Sequence, residues 1–135
     1  MKRLTTIFCI ALAGCATIQG RDELRMAALK SIGAERVAWL AKDTAALPSG
    51  MESVVALQKM QASIDGIAVK GSEGIVTTTW RYTGTFSTPQ GQRDGTLTVQ
   101  RRLHFTRGDR GTWIKSAAAE EIARNSSWSS GRSAS

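Results

Sequence analysis

Few residues in this 135-residue chain are equipped for chemistry, which narrows what it can do. There are two cysteines, Cys9 and Cys15, and one histidine, His104. Cys15 follows Leu12-Ala13-Gly14, a branched apolar residue and two small ones. His104 alternates onto the strand face opposite Leu103 and Phe105, as a solvated strand histidine does, whereas a general base needs a pocket and a partner. Zinc-type sites need more His or Cys than exist here, and Asp65, Glu73 and Asp94 show no ligand spacing. No catalytic residue, metal ligand or cofactor is therefore expected, and the chain reads as a non-enzyme.

The remaining candidates are cationic or aromatic. Arg101, Arg102, Arg107 and Arg110 form a basic run across one predicted hairpin. Alternate residues of a strand face opposite ways, so they do not make one patch. Arg102, Arg107 and Arg110 are candidates for docking an acidic partner. Arg101 shares a face with Leu97, Val99, Leu103 and Phe105, and so sits at a strand end or lines a cavity. Trp80, Tyr82 and Phe86 read as core, or with Arg101 as the lining of an apolar pocket. Arg107-Gly108-Asp109 matches a short adhesion tripeptide, but Gly and Asp are also what a tight hairpin needs. Trp128, in a tail without periodicity, is a candidate anchor into a partner or a membrane interface.

The elements that must position these residues follow from periodicity. Lys2 and Arg3 precede an apolar stretch of about ten residues, half of what a spanning helix needs, so residues 1–14 read as a signal segment. Residues 15–21 read as a tether. From Asp22 the apolar positions Leu24, Ala28, Ile32, Leu40 and neighbours recur at helical steps, with Leu29, Val37 and Trp39 adding to the stripe, predicting a helix over 22–42. Leu47-Pro48 breaks it. Ser49-Gly50-Met51-Glu52 resembles a capping box and predicts a second helix to about residue 62, with Val54, Leu57 and Met60 on one side. Strands are predicted at about 62–70, 75–86, 96–106 and 112–119, the last with Trp113 or Ile114 facing in. The expectation is an α+β domain over 22–122: N-terminal helix or helices packed on a four-stranded antiparallel curved sheet, followed by a disordered tail at 123–135.

Leu12-Ala13-Gly14-Cys15 resembles the lipobox of bacterial lipoproteins. That resemblance implies thioether lipidation of Cys15, cleavage after Gly14 and acylation of the new N-terminus; several acyl chains make such an anchor firm. Ala16 rather than Asp at the next position implies, in a Gram-negative host, the inner leaflet of the outer membrane facing the periplasm. Cleavage removes two cations, Lys2 and Arg3, lowering the formal charge from +7 to +5. With Cys9 lost and Cys15 modified, no thiol is left for a disulfide. An envelope location argues for membrane and protein partners and against nucleic acid.

Phe105, a charged turn, and Gly111-Thr112-Trp113-Ile114-Lys115 resemble the closing strands of nuclear transport factor 2-like or SnoaL-like domains. Ile64 through Ala68, Gly74-Ile75-Val76 and Tyr82 fit the same pattern, over about residues 22–119. A smaller cystatin-like relative, one helix on four strands, fits the length as well. Such domains serve as enzymes, carriers and scaffolds, so the fold alone assigns no function. The functional expectation is a binding or assembly component of a secretion- or conjugation-type envelope machine. The alternative is a periplasmic carrier or sensor holding a small apolar ligand in a pocket.

Overall fold

The computed structural model describes residues 2–129, with side chains from Gly20 onward. One helix, α1 (Lys2–Ala45), is followed by strands β1 (Ser53–Lys70), β2 (Glu73–Thr88), β3 (Gly91–Arg107), β4 (Trp113–Lys115) and β5 (Glu120–Trp128). This is the expected α+β class, a helix on a curved antiparallel sheet. The helix does not start at Asp22. It runs unbroken through the predicted signal and tether segments, because nothing between Lys2 and Ala45 stops it: there is no proline, and each glycine costs only about 1 kcal/mol. Leu24 and Ala28 are fully buried on its inner face, with Ile32 packed beside them, but Leu29 (48% exposed) and Val37 (78%) point away from the sheet.

The second helix expected over 49–62 is absent; those residues turn and enter β1. Met51 N donates to Pro48 O, and Gly50 takes φ +97° to make the turn. The pattern misled for a physical reason. The β1–β2 register shifts between Val54 and Ala56, Leu57 and Lys59, and Ile64 and Gly66. Each bulge adds a residue and stretches the inward period from two towards three. Val54, Leu57 and Met60 therefore all turn inward at helix-like spacing. β1 is a sheet edge, where bulges discourage pairing with foreign strands.

The sheet order is β1-β2-β3-β4, with β5 also on β3. β4 pairs with β3 at 105–107 and β5 pairs with it at 95–102. The two share one edge, so the fourth sheet position is a strand interrupted at 116–119. Residues 123–128, expected in the tail, belong to β5; residues 130–135 lie outside the described residues.

Even-numbered residues of β2 and odd-numbered residues of β3 face α1. They form two apolar clusters. One joins Leu24, Ala28, Val76, Leu103, Phe105 and Trp113; the other joins Met51, Trp80, Tyr82, Phe86, Leu97 and Val99. Between them lies a polar rung, since Thr78 pairs with Arg101 across β2 and β3.

Candidate functional site

Two features bear on function: a buried charge cluster in that rung and an open cleft beside α1.

The cluster is built on Arg101, 2% exposed in the middle of β3. A buried cation is tolerated only if paired and hydrogen-bonded. Its partner is Asp43, fully buried one turn beyond Trp39 on α1. Arg101 Nη2 donates to Asp43 Oδ1, and Tyr82 Oη donates to Asp43 Oδ2. Arg124 of β5 adds a second guanidinium, with Nη2 3.1 Å from Asp43 Oδ1. Arg124 Nη1 also donates to Asp43 O at 3.1 Å and Ala46 O at 2.7 Å, satisfying carbonyls at the helix C-terminus, and Nη2 reaches Glu121 at 2.7 Å. The Arg101 guanidinium lies 3.8 Å from the Trp39 ring centroid and 5.7 Å from that of Trp80. Burial pushes the Tyr82 phenol well above its ordinary value, and the hydrogen bond to the Asp43 carboxylate adds to this. The hydrogen bonds and charge of Arg124 hold the Glu121 carboxyl low.

Asp43 has no surface that a substrate could touch, and its oxygens are occupied. The cluster therefore works as a clamp that ties the end of α1 to β2, β3 and β5. Arg101 does face the apolar side, as its alternation predicts, but at mid-strand in an ion pair rather than at a strand end. Trp80, Tyr82 and Phe86 are fully buried within the second cluster and so are core rather than pocket lining.

The proposed docking residues do not converge. Arg102 is 46% exposed and lies 3.6 Å from Glu120, which is also 3.4 Å from His104. Arg107 is half-buried, 4.6 Å over the Trp113 ring, and its guanidinium is packed so closely against Gly20 that a side chain there would collide. Arg110 is exposed beside the cleft. Trp128 is not a free tail residue. It packs edge-on to Phe86 at 6.3 Å, with Arg93 4.7 Å from its ring. Its strand partner Gly95 leaves the room, since a Cβ there would come within 2.7 Å of the indole.

The cleft, about 1080 Å³, lies between α1 from Asp22 to Ala34 and the β3–β4 turn with its flanks. Ala27, Phe105 and Trp113 contribute apolar lining, as do the exposed Met26 and Leu29. Arg110, Lys30, Lys115, Asp22 and Glu23 supply charge. Lys115 is bonded to Glu35. Burial raises the Glu35 carboxyl, but hydrogen bonds from Lys115 and Ser31 and the Lys115 charge outweigh it and leave it low.

Asp43, Arg124 and the cleft escaped the sequence reading. A signal for the first existed: an arginine inside an alternating apolar face demands a buried carboxylate, and Asp43 follows Trp39 by one helical turn. Among the described residues no three His, Cys, Asp or Glu side chains gather to hold a metal, and no helix is long and apolar enough to cross a membrane. Comparisons with protein-family models, curated proteins and solved structures find no match to the chain.

Proposed function

We propose that this chain is a lipoprotein anchored through Cys15 in the inner leaflet of the outer membrane. Its periplasmic domain is a non-enzymatic binding component of a secretion- or conjugation-type envelope assembly. The sequence Leu12-Ala13-Gly14-Cys15 supports the anchor. The kinship with nuclear transport factor 2-like or cystatin-like domains rests on the closing-strand residues and agrees with a helix packed on an antiparallel sheet.

One observation carries the binding reading: α1 leaves three large apolar side chains exposed among its charged residues. Leu24, Ala28 and Ile32 face the sheet, while Met26 (65% exposed), Leu29 (48%) and Val37 (78%) face water. Exposed apolar side chains recurring along one helix support a protein partner on the outer side of α1. The filled interior at Trp80, Tyr82 and Phe86 favours this reading over a carrier with an internal pocket.

The test is a photo-crosslinking amino acid at Val37 in the membrane-anchored protein, followed by purification and mass spectrometry. The reading expects adducts to envelope proteins in fixed proportion. Recovery without any protein adduct would overturn it.

A further inference from the structure

We propose that the domain stands on the membrane by one fixed end: the β1–β2 and β3–β4 turns rest on the phospholipid headgroups, with Lys70 and Arg110 toward the phosphates. This rests on the lipid anchor at Cys15 proposed above and adds to it a second, non-covalent membrane contact.

The first observation is reach. Gly20 is buried against the Arg107 guanidinium at the end of β3, and it follows Cys15 by only five residues. Five residues span at most about 18 Å when fully extended, and about 7.5 Å in the helix that the chain forms there. A diacylglyceryl group holds the Cys15 sulfur at the level of the headgroups, so this end of the sheet is confined to the membrane surface. The β1–β2 turn lies at the same end, since Arg107 N donates to Ser72 O at 2.7 Å and Glu73 pairs with Thr106. The β2–β3 turn lies at the other end of β3, a 17-residue strand about 55 Å long. Val37 lies about 25 Å further along α1 than Gly20, so the docking face stays clear of the surface.

The second observation is the chemistry of that end. The turn tips, Gly71-Ser72 and Gly108 to Gly111, carry no large apolar side chain, which a protein interface would want at its centre. Arg21, Lys70 and Arg110 come from three separate elements, are exposed, and are in no ion pair among the described residues. Each such cation contributes about fivefold at an anionic lipid surface. Asp22, Glu23, Glu73 and Asp109 share this end and offset part of that attraction, while matching the ammonium of phosphatidylethanolamine. The contact is therefore too weak to hold the protein without its lipid. The short tether supplies the effective concentration that populates it.

The test uses the native lipidated protein in vesicles of phosphatidylethanolamine and phosphatidylglycerol that contain a nickel-chelating lipid. With Cys9 removed and Cys15 modified, an introduced cysteine is the only thiol, so a nitroxide can be placed at Ser72→Cys, Thr112→Cys or Gln90→Cys. Headgroup nickel should relax the labels at 72 and 112 strongly and leave the one at 90 as it is in nickel-free vesicles. Lys70→Glu combined with Arg110→Glu should cut the enhancement at 72 and 112 severalfold, with the protein still in the vesicle fraction. Equal relaxation at 72, 112 and 90 in vesicle-bound protein would overturn the fixed end while leaving the anchor in place. Enhancement indifferent to the two charge reversals would overturn the headgroup contact. Protein that never enters the vesicle fraction would overturn the anchor and this proposal together.

Discussion

Replacing Asp43 by Asn should destabilise the domain far more than an ordinary substitution. The carboxylate is fully buried and is the ion-pair partner of the nearly buried Arg101. Asn keeps the shape but removes the charge, so the Arg101 guanidinium stays in the core between Trp39 and Trp80 without a counterion. Breaking a buried pair by neutralising one member costs about 3–5 kcal/mol, because the other charge is left uncompensated. At several degrees per kcal/mol for a domain of this size, Tm should fall by on the order of 15 °C or more. The account also predicts how to repair the damage. Asp43→Leu combined with Arg101→Met and Tyr82→Phe removes both charges and the phenol that would lose its acceptor, and should recover most of the loss, since well-packed apolar residues often replace such pairs without penalty. Arg124 keeps Glu121 and the Ala46 carbonyl in that variant. Urea unfolding of the Cys15→Ser background, with and without these changes, reads the free energies directly. A loss below about 1 kcal/mol for Asp43→Asn would refute the clamp, as would a triple variant no more stable than the single one.

Tyr82 is the only tyrosine, so phenolate absorbance reports on it alone. Its phenol is raised above the ordinary 10.0. The unfolded chain thus releases this proton first, and the stability it confers is complete below pH 10 and lost as pH rises beyond it; absorbance should stay silent until unfolding, and a reversible titration near 10 in the folded protein would contradict the buried hydrogen bond. Glu35 is lowered below its ordinary 4.5, so its contribution is present above that pH and lost as pH falls; Lys115→Met should flatten this acid limb, by no more than about 1 kcal/mol for so exposed a pair. Gly84→Ala should cost several-fold more stability in urea than Gly66→Ala, because a Cβ at Gly84 runs into the β1 backbone at Ala56 and Leu57 whereas one at Gly66 meets nothing; equal costs would mean that the bulged edge does not lie over Gly84. Trp128→Ala should cost about 2–4 kcal/mol as a half-buried aromatic that packs edge-on to Phe86, and a change within about 0.5 kcal/mol would return this residue to the tail.

The legible part of the fold was the part that obeys one period. Alternation along β2 and β3 is regular, so Val76, Trp80, Tyr82 and Phe86 against Leu97, Val99, Leu103 and Phe105 could be placed on one face from sequence, and Arg101 could be seen among them. The illegible parts broke the period or depended on distant partners. β1 hid behind its bulges, which space Val54, Leu57 and Met60 like a helix. β5 reads as polar because it closes an edge, with only Ala123, Arg124, Ser126 and Trp128 partly buried. Its one strong clue was Gly95 opposite Trp128, visible only once the register is known. The clamp needed Asp43, Tyr82, Arg101 and Arg124 from four separate elements, and no local pattern joins residues that far apart. The cleft is a matter of how α1 and the β3–β4 turn sit together, which composition does not encode.

The most direct test of the central claim is the intact mass and N-terminal peptide mass of the protein from its native membrane. The account predicts a chain beginning at Cys15, heavier than its polypeptide by a thioether-linked diacylglyceryl group and an N-terminal acyl chain. It also predicts that Cys15→Ser leaves the membrane fraction. A mature chain that keeps residues 1–14, or one that carries Cys15 as a free thiol, would contradict it.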